Sequence, residues 1–123
     1  MLVFHGTPGC RLLPQRVDDE ARRIGVRILA PDRPGFGKST FVPDRQMADW
    51  VADVVALADQ GELSSFGLVG YSGGGPYSLL CAQVLPERVS AVACVAGVGP
   101  LDTAEARAAM PEATRAFYEA AAT

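Results

Sequence analysis

Phe66-Gly67-Leu68-Val69-Gly70-Tyr71-Ser72-Gly73-Gly74-Gly75-Pro76 decides the reading of this chain. An apolar run stops at Gly70. A turn of glycines around one serine follows, and the sequence from Gly73 to Leu85 has helical character. The pattern G-x-S-x-G between a strand and a helix has a steric logic. A sharp strand-to-helix turn forces its central residue into a strained backbone, and flanking glycines remove the Cβ atoms that would clash. The Ser72 hydroxyl is then exposed at the carboxyl end of a sheet, where open α/β sheets bind ligands. The helix start at Gly73 turns free N–H groups toward the same spot. A plain glycine-rich turn with an incidental serine is the alternative for these five residues taken alone.

Outward from this turn, short apolar runs alternate with helix-like stretches. Leu2-Val3-Phe4 is ended by His5-Gly6-Thr7-Pro8-Gly9. Pro14 to Ile24 places Val17, Ala21 and Ile24 at near-helical spacing, and Gly25 sits where a helix end favours glycine. Val26 to Ala30 reads as a strand closed by Pro31-Asp32-Arg33-Pro34-Gly35. A helix is expected from a cap at Asp44 to about Gln60, with Met47, Trp50, Val51, Val54, Val55 and Ala58 on one face and Gly61 at its end. Val89 to Ala96 reads as a fourth strand. From Asp102 the chain is alanine-rich and helical in propensity, with Pro111 dividing it. Strands alternating with helices imply right-handed crossovers and a parallel sheet. Continuous apolar strands fit a sheet covered on both faces. The expected fold is therefore a three-layer α/β domain with about four parallel strands and crossover helices.

Composition narrows the function. The chain has 123 residues, room for one small domain, with 49% hydrophobic and 20% charged residues, which excludes wholesale disorder. A formal charge of −3 gives no basic surplus for nucleic acid. No apolar stretch approaches the roughly 18 residues of a membrane span. Cys10, Cys81 and Cys94 are too few and too scattered for a disulfide framework or a zinc site. With no signal-peptide pattern, they fit a reducing, cytoplasmic setting. No metal or organic cofactor is implied. Met1 runs straight into a strand, which suggests missing upstream sequence.

Two further loops bear on chemistry. In a parallel sheet His5-Gly6-Thr7-Pro8-Gly9 lies at the same end as Ser72. Pro8 has no N–H, so an anion-binding amide here comes from Thr7 or a glycine, and Thr7 with Gly73 would make a two-donor oxyanion hole. In Asp32-Arg33-Pro34-Gly35-Phe36-Gly37-Lys38-Ser39, the end resembles a phosphate-binding loop, but that motif needs glycine at position 32. A dinucleotide fingerprint fails as well, because Thr40 stands where its third glycine belongs. Asp32 and Arg33 are expected instead to pin the loop through a charged hydrogen bond.

Together, in this order and spacing, the three segments resemble the α/β-hydrolase fold family: its H-G-x-P-G loop, its D-x-x-G-x-G-x-S loop and its nucleophile elbow. The resemblance covers most of residues 2 to 100. It implies a partial α/β-hydrolase core over 1–100 and the start of a helical cap over 101–123. It also implies Ser72 as nucleophile, the amides of Thr7 and Gly73 as oxyanion donors, and acyl-type hydrolysis or a related reaction on a small, largely apolar substrate.

The sequence departs from the family at the base. The family order is Ser, then Asp or Glu, then His, and a serine hydroxyl is weak until a base takes its proton. The one histidine, His5, precedes Ser72 by 67 positions and matches the oxyanion loop. It is expected to hold that loop, with a role as base left open. Asp102 is a candidate acid. Two accounts follow: a fragment of a longer serine hydrolase, inactive alone, or a short non-catalytic relative that binds a small ligand or a partner chain. Either would leave a sheet edge open to a complementing chain or to self-association.

Overall fold

The computed structural model describes residues 1–100 and 103–121, with side chains described through residue 116. Three parallel strands form the sheet: β1 (Leu2–Phe4), β2 (Phe66–Tyr71) and β3 (Val89–Val95), in the order β1-β2-β3. Leu2 pairs with Leu68 and Leu68 with Val92, so the three strands run in step. The helices are α1 (Asp18–Arg23), α2 (Trp50–Gln60), α3 (Gly75–Val84), α4 (Ala104–Ala108) and α5 (Glu112–Ala121). Short 3-10 turns lead into α1, α2 and α3. Pro111 falls between α4 and α5, as its missing N–H and ring sterics dictate.

The expected strand at Val26–Ala30 is reduced to one parallel bridge, Leu2 to Leu29. Val3 N–H donates to Leu29 O and Leu29 N–H to Met1 O, both at 2.9 Å. Pro31 follows at once, and its lack of an N–H bars continuation of the ladder. The sheet thus holds three strands and a bridge where four strands were expected.

The core lies on one face of the sheet. Leu2 and Phe4 of β1 share a side, as do Phe66 and Leu68 of β2, because side chains alternate along a strand. They pack with Trp50, Val54 and Ala58 of α2 and Cys81 of α3. Phe4 and Tyr77 both meet Trp50 edge-on, at centroid distances of 5.3 and 6.1 Å. Leu2, Phe4 and Leu68 are fully buried or nearly so, each worth about 1.5–3 kcal/mol of transfer free energy. Coverage ends at β3. Its residues from Ser90 to Val95 are exposed, with Val92 at 40% and Val95 at 48%. The expectation of a sheet covered on both faces therefore holds for β1 and fails for the edge strand.

Helix ends follow local chemistry. Gly25, at φ +74°, closes α1: its N–H reaches Arg22 O and the Val26 N–H reaches Ala21 O. α2 ends at Gln60 as expected, and the same bond pattern closes it with the left-handed residue one position past Gly61. Glu62, at φ +54°, takes the left-handed position, while Gly61 keeps a negative φ. Leu63 N–H donates to Ala58 O and Glu62 N–H to Asp59 O. Asp44 does not cap α2. It has φ +58°, and the helical stretch begins at Met47, where the Asp49 carboxylate accepts from the Gln46 N–H at 2.9 Å.

Candidate active site

β2 delivers Ser72 to the carboxyl end of the sheet. Its last residue, Tyr71, is extended, and Ser72 then switches to φ +49°, a left-handed conformation that L side chains resist. From there the backbone turns through Ser72–Gly74 into α3. Gly70 is needed for closeness: a Cβ there would stand 2.5 Å from Gly74 O and 2.7 Å from the Gly75 Cα. A Cβ on Gly73 would stand 2.6 Å from Thr7 Oγ1 and 3.2 Å from Thr7 N. The loop after β1 therefore lies against the serine turn, and Gly6 would bring a Cβ within 3.1 Å of the Ser72 Cβ. Ser72, Thr7 and Gly73, separated by up to 66 positions in sequence, meet at one point.

An open groove of about 770 Å³ runs from this point along α3. Thr7, Gly73, Pro76, Tyr77, Leu80 and Val98 contribute to its walls. Val98 is tied to the turn by its N–H, which donates to Ser72 O at 3.3 Å.

His5 lies behind the loop, 1% exposed. Its Nε2 accepts the Arg33 backbone N–H at 3.1 Å, so Nε2 carries no proton. The proton is then on Nδ1, which donates to Gly6 O at 2.8 Å. Burial pushes its pKa below the ordinary value; the Gly6 contact and Asp32 oppose that shift, and the Arg33 charge adds to it. Both ring nitrogens are occupied, so this neutral imidazole has no lone pair for the Ser72 proton. That removes the base role left open for His5.

Asp32 and Arg33 are adjacent, yet they do not pin one another. The Asp32 carboxylate accepts from the Arg11 N–H and the Arg11 guanidinium, both at 2.5 Å, and from the Lys38 N–H at 3.0 Å. Burial raises its pKa, but these donors outweigh burial and hold it down to about 2. A side chain on Gly37 would collide with this carboxylate. Ser39 Oγ donates to Asp32 O at 2.9 Å and closes the loop. Arg33 turns the other way, to the carbonyls of His5 and Gly6 and to Thr7 Oγ1. The expected charged pin exists twice, with different partners. Arg11 is the residue sequence reasoning passed over, because nothing in a single sequence links positions 21 apart across two loops.

Asp102, the candidate acid, lies outside the described residues. Among the described residues no cluster of three His, Cys, Asp or Glu is arranged to hold a metal. No helix among them is long and apolar enough to cross a membrane.

The family model for the alpha/beta hydrolase fold matches residues 1–123. The chain belongs to that family. It is 30% identical over 95 residues to an epoxide hydrolase of Caballeronia sordidicola, covering 75% of this chain and 29% of that protein. It is 37% identical over 75 residues to a 2-hydroxymuconate semialdehyde hydrolase of Pseudomonas sp. strain CF600, covering 59% of this chain and 26% of that protein. A thermophilic esterase from Thermogutta terrifontis superposes with a TM-score of 0.76 at 26% identity, over 87% of this chain and 40% of the esterase. An extracellular alpha/beta-hydrolase from a Paenibacillus species also gives 0.76, at 22% identity, over 97% of this chain and 49% of that one, a likeness of fold. The chain spans less than half the length of each of these proteins.

Proposed function

We propose that Ser72 is the nucleophile of a serine hydrolase acting on small, largely apolar acyl substrates. In this reading the Thr7 and Gly73 amides bind the oxyanion. The base is a histidine outside these 123 residues, and the chain alone is inactive. The supporting observation is the left-handed Ser72 backbone, set on a strand-to-helix turn with Thr7 N 3.2 Å from where a Gly73 Cβ would stand. Such a turn is strained, and strain concentrates where chemistry needs a fixed side chain. Two amides beside the serine could each lower the barrier by about 3–4 kcal/mol. The groove along Leu80 and Val98 suits an apolar acyl chain. We read the helices after Pro100 as the start of a cap over that groove. The open edge of β3 is the place for a complementing segment of polypeptide, or failing that a second copy. Cysteines free of disulfides, Cys10, Cys81 and Cys94, suit a cytoplasmic protein.

The missing proton acceptor can be supplied from solution. With imidazole at high concentration, a fluorophosphonate should phosphonylate Ser72: the Oγ–P bond forms, P–F breaks, fluoride leaves and imidazole takes the hydroxyl proton. The expected result is a label mapped by mass spectrometry to Ser72 and absent from Ser72→Ala. Without imidazole, hydrolysis of p-nitrophenyl acetate should stay at background. Label spread over other serines, or none at all, would sink the nucleophile. Such a result would favour the second account, a non-catalytic relative that binds a small ligand or partner chain. Serine-dependent ester turnover without imidazole would show instead that the chain holds its own base.

A further inference from the structure

Arg33 is 3% exposed, and among the described residues it has no carboxylate partner. Its guanidinium sits between the rings of Phe36 and Tyr77, at 5.0 and 4.8 Å from their centroids. One nitrogen, Nη1, donates to His5 O. The other, Nη2, donates to Gly6 O at 3.1 Å and to Thr7 Oγ1 at 2.9 Å. Gly6 O also accepts from His5 Nδ1 at 2.8 Å. Every one of these bonds ends on the short segment beside Ser72.

We propose that Arg33 and His5 are positioning residues for the Gly6–Thr7 peptide, holding its carbonyl from behind so that the Thr7 N–H faces the Ser72 turn and is polarised as a donor. The inference rests on the reading of Thr7 as an oxyanion donor. The carbonyl and N–H of a trans peptide point in opposite directions. Two donors fixed on Gly6 O therefore fix the direction of the Thr7 N–H. No acceptor among the described residues takes that N–H, so it is free for a ligand.

The charge of Arg33 is the telling part. A loop needs only hydrogen bonds to stay in place, and a neutral amide could supply them. A buried, unneutralised cation is costly to keep. Placed on a carbonyl it does more, because charge-assisted bonds are stronger and polarise the bonds next in line. The cation draws electron density through the Gly6–Thr7 peptide and leaves the N–H a better donor to developing negative charge. His5 adds direction without charge: its Nε2 accepts the Arg33 N–H, so the two residues set each other's orientation.

The sequence offers a clean probe. Gly6-Thr7 is its only Gly-Thr pair, so a chain labelled with carbonyl-13C glycine and 15N threonine gives one carbonyl–amide correlation. In Arg33→Gln, the Gly6 carbonyl and Thr7 amide-proton signals should both move upfield, and Arg33→Lys should recover part of the shift. Imidazole-assisted phosphonylation of Ser72 should slow by about tenfold or more in Arg33→Gln, a share of the 10²–10³ lost with a whole oxyanion donor. It should recover partly in Arg33→Lys. Arg88→Lys, changed at an arginine tied to Asp59 and Leu63, should label like the parent. Unmoved signals in a folded Arg33→Gln would overturn the proposal. So would an unchanged labelling rate, or equal losses in Lys and Gln. Should Arg33→Gln fail to fold, the 15N shifts of the His5 ring in the unmutated chain decide: a proton on Nε2 would break the arrangement. Absence of any Ser72 label in the parent chain would fault the nucleophile, while the carbonyl–amide signals still judge the clamp.

Discussion

Replacing Asp32 by asparagine removes one charge and no heavy-atom volume to speak of. The carboxylate takes three N–H donors from two loops and its side chain is 3% exposed. Asparagine keeps one acceptor oxygen and turns an NH₂ group toward a donor that needs an acceptor. The magnitude follows from the acidity of the group. Its pKa falls from an ordinary 3.8 to about 2, which at ~1.4 kcal/mol per unit is about 2.5 kcal/mol favouring the charged form. Arg11, one of the partners, is 34% exposed, and solvent screening brings the expected loss down to about 1.5–2 kcal/mol. For a chain of this size that lowers Tm by roughly 6–8 °C. A depressed pKa stabilises above the unfolded value of 3.8, and the benefit is lost as pH falls through about 2. Urea unfolding of both chains at pH 7 and at successively lower pH checks this. The gap between them should stand in full at pH 7, begin to close below about pH 4 and be largely gone near pH 2. Equal stability at pH 7, or a gap unchanged at low pH, would refute the reasoning.

Gly70→Ala should cost more than 3 kcal/mol, or prevent folding, because its Cβ would stand 2.5 Å from Gly74 O and 2.7 Å from the Gly75 Cα, where no flexible side chain can yield; circular dichroism melts measure this. Glu62→Gly should raise stability by up to about 0.5–1 kcal/mol, since it removes a left-handed Glu from the end of α2 against a smaller loss of unfolded-state order; an unchanged or lower urea midpoint would count against that cap. Cys81 is fully buried and its thiol is pushed up to about 11 by desolvation, so a disulfide reagent at pH 8 should modify exposed Cys94 well before Cys81, which reacts only on unfolding.

Much of this molecule was legible from sequence because its signals are local. The G-x-S-x-G turn, the Gly25 helix end and the Pro111 break each depend on the backbone freedom of one or two residues. The neighbourhood of Ser72 and Thr7 was also legible, since parallel strands bring their carboxyl ends to one side. What escaped depends on contacts distant in the chain. Asp32 and Arg33 read as pins of their loop, yet the partners that hold them, Arg11 for Asp32 and His5, Gly6 and Thr7 for Arg33, stand 21 to 28 positions away where no local pattern names them. The Val26–Ala30 run has the composition of a strand, but Pro31 and its place at the sheet's rim leave it a single bridge. The exposure of β3 was invisible for a similar reason: Val89 to Val95 is apolar whether or not anything covers it.

The full engagement of His5 has a consequence for the proposed chemistry. An imidazole whose lone pair and proton are both spent on scaffolding is insulated from the protonation cycle of a turnover. With Ser72 as the proposed nucleophile, the loop His5 braces keeps its shape while charge comes and goes at that hydroxyl. In the proposed reading scaffold and proton carrier are separate parts, and the second can stand on another stretch of polypeptide without disturbing the first.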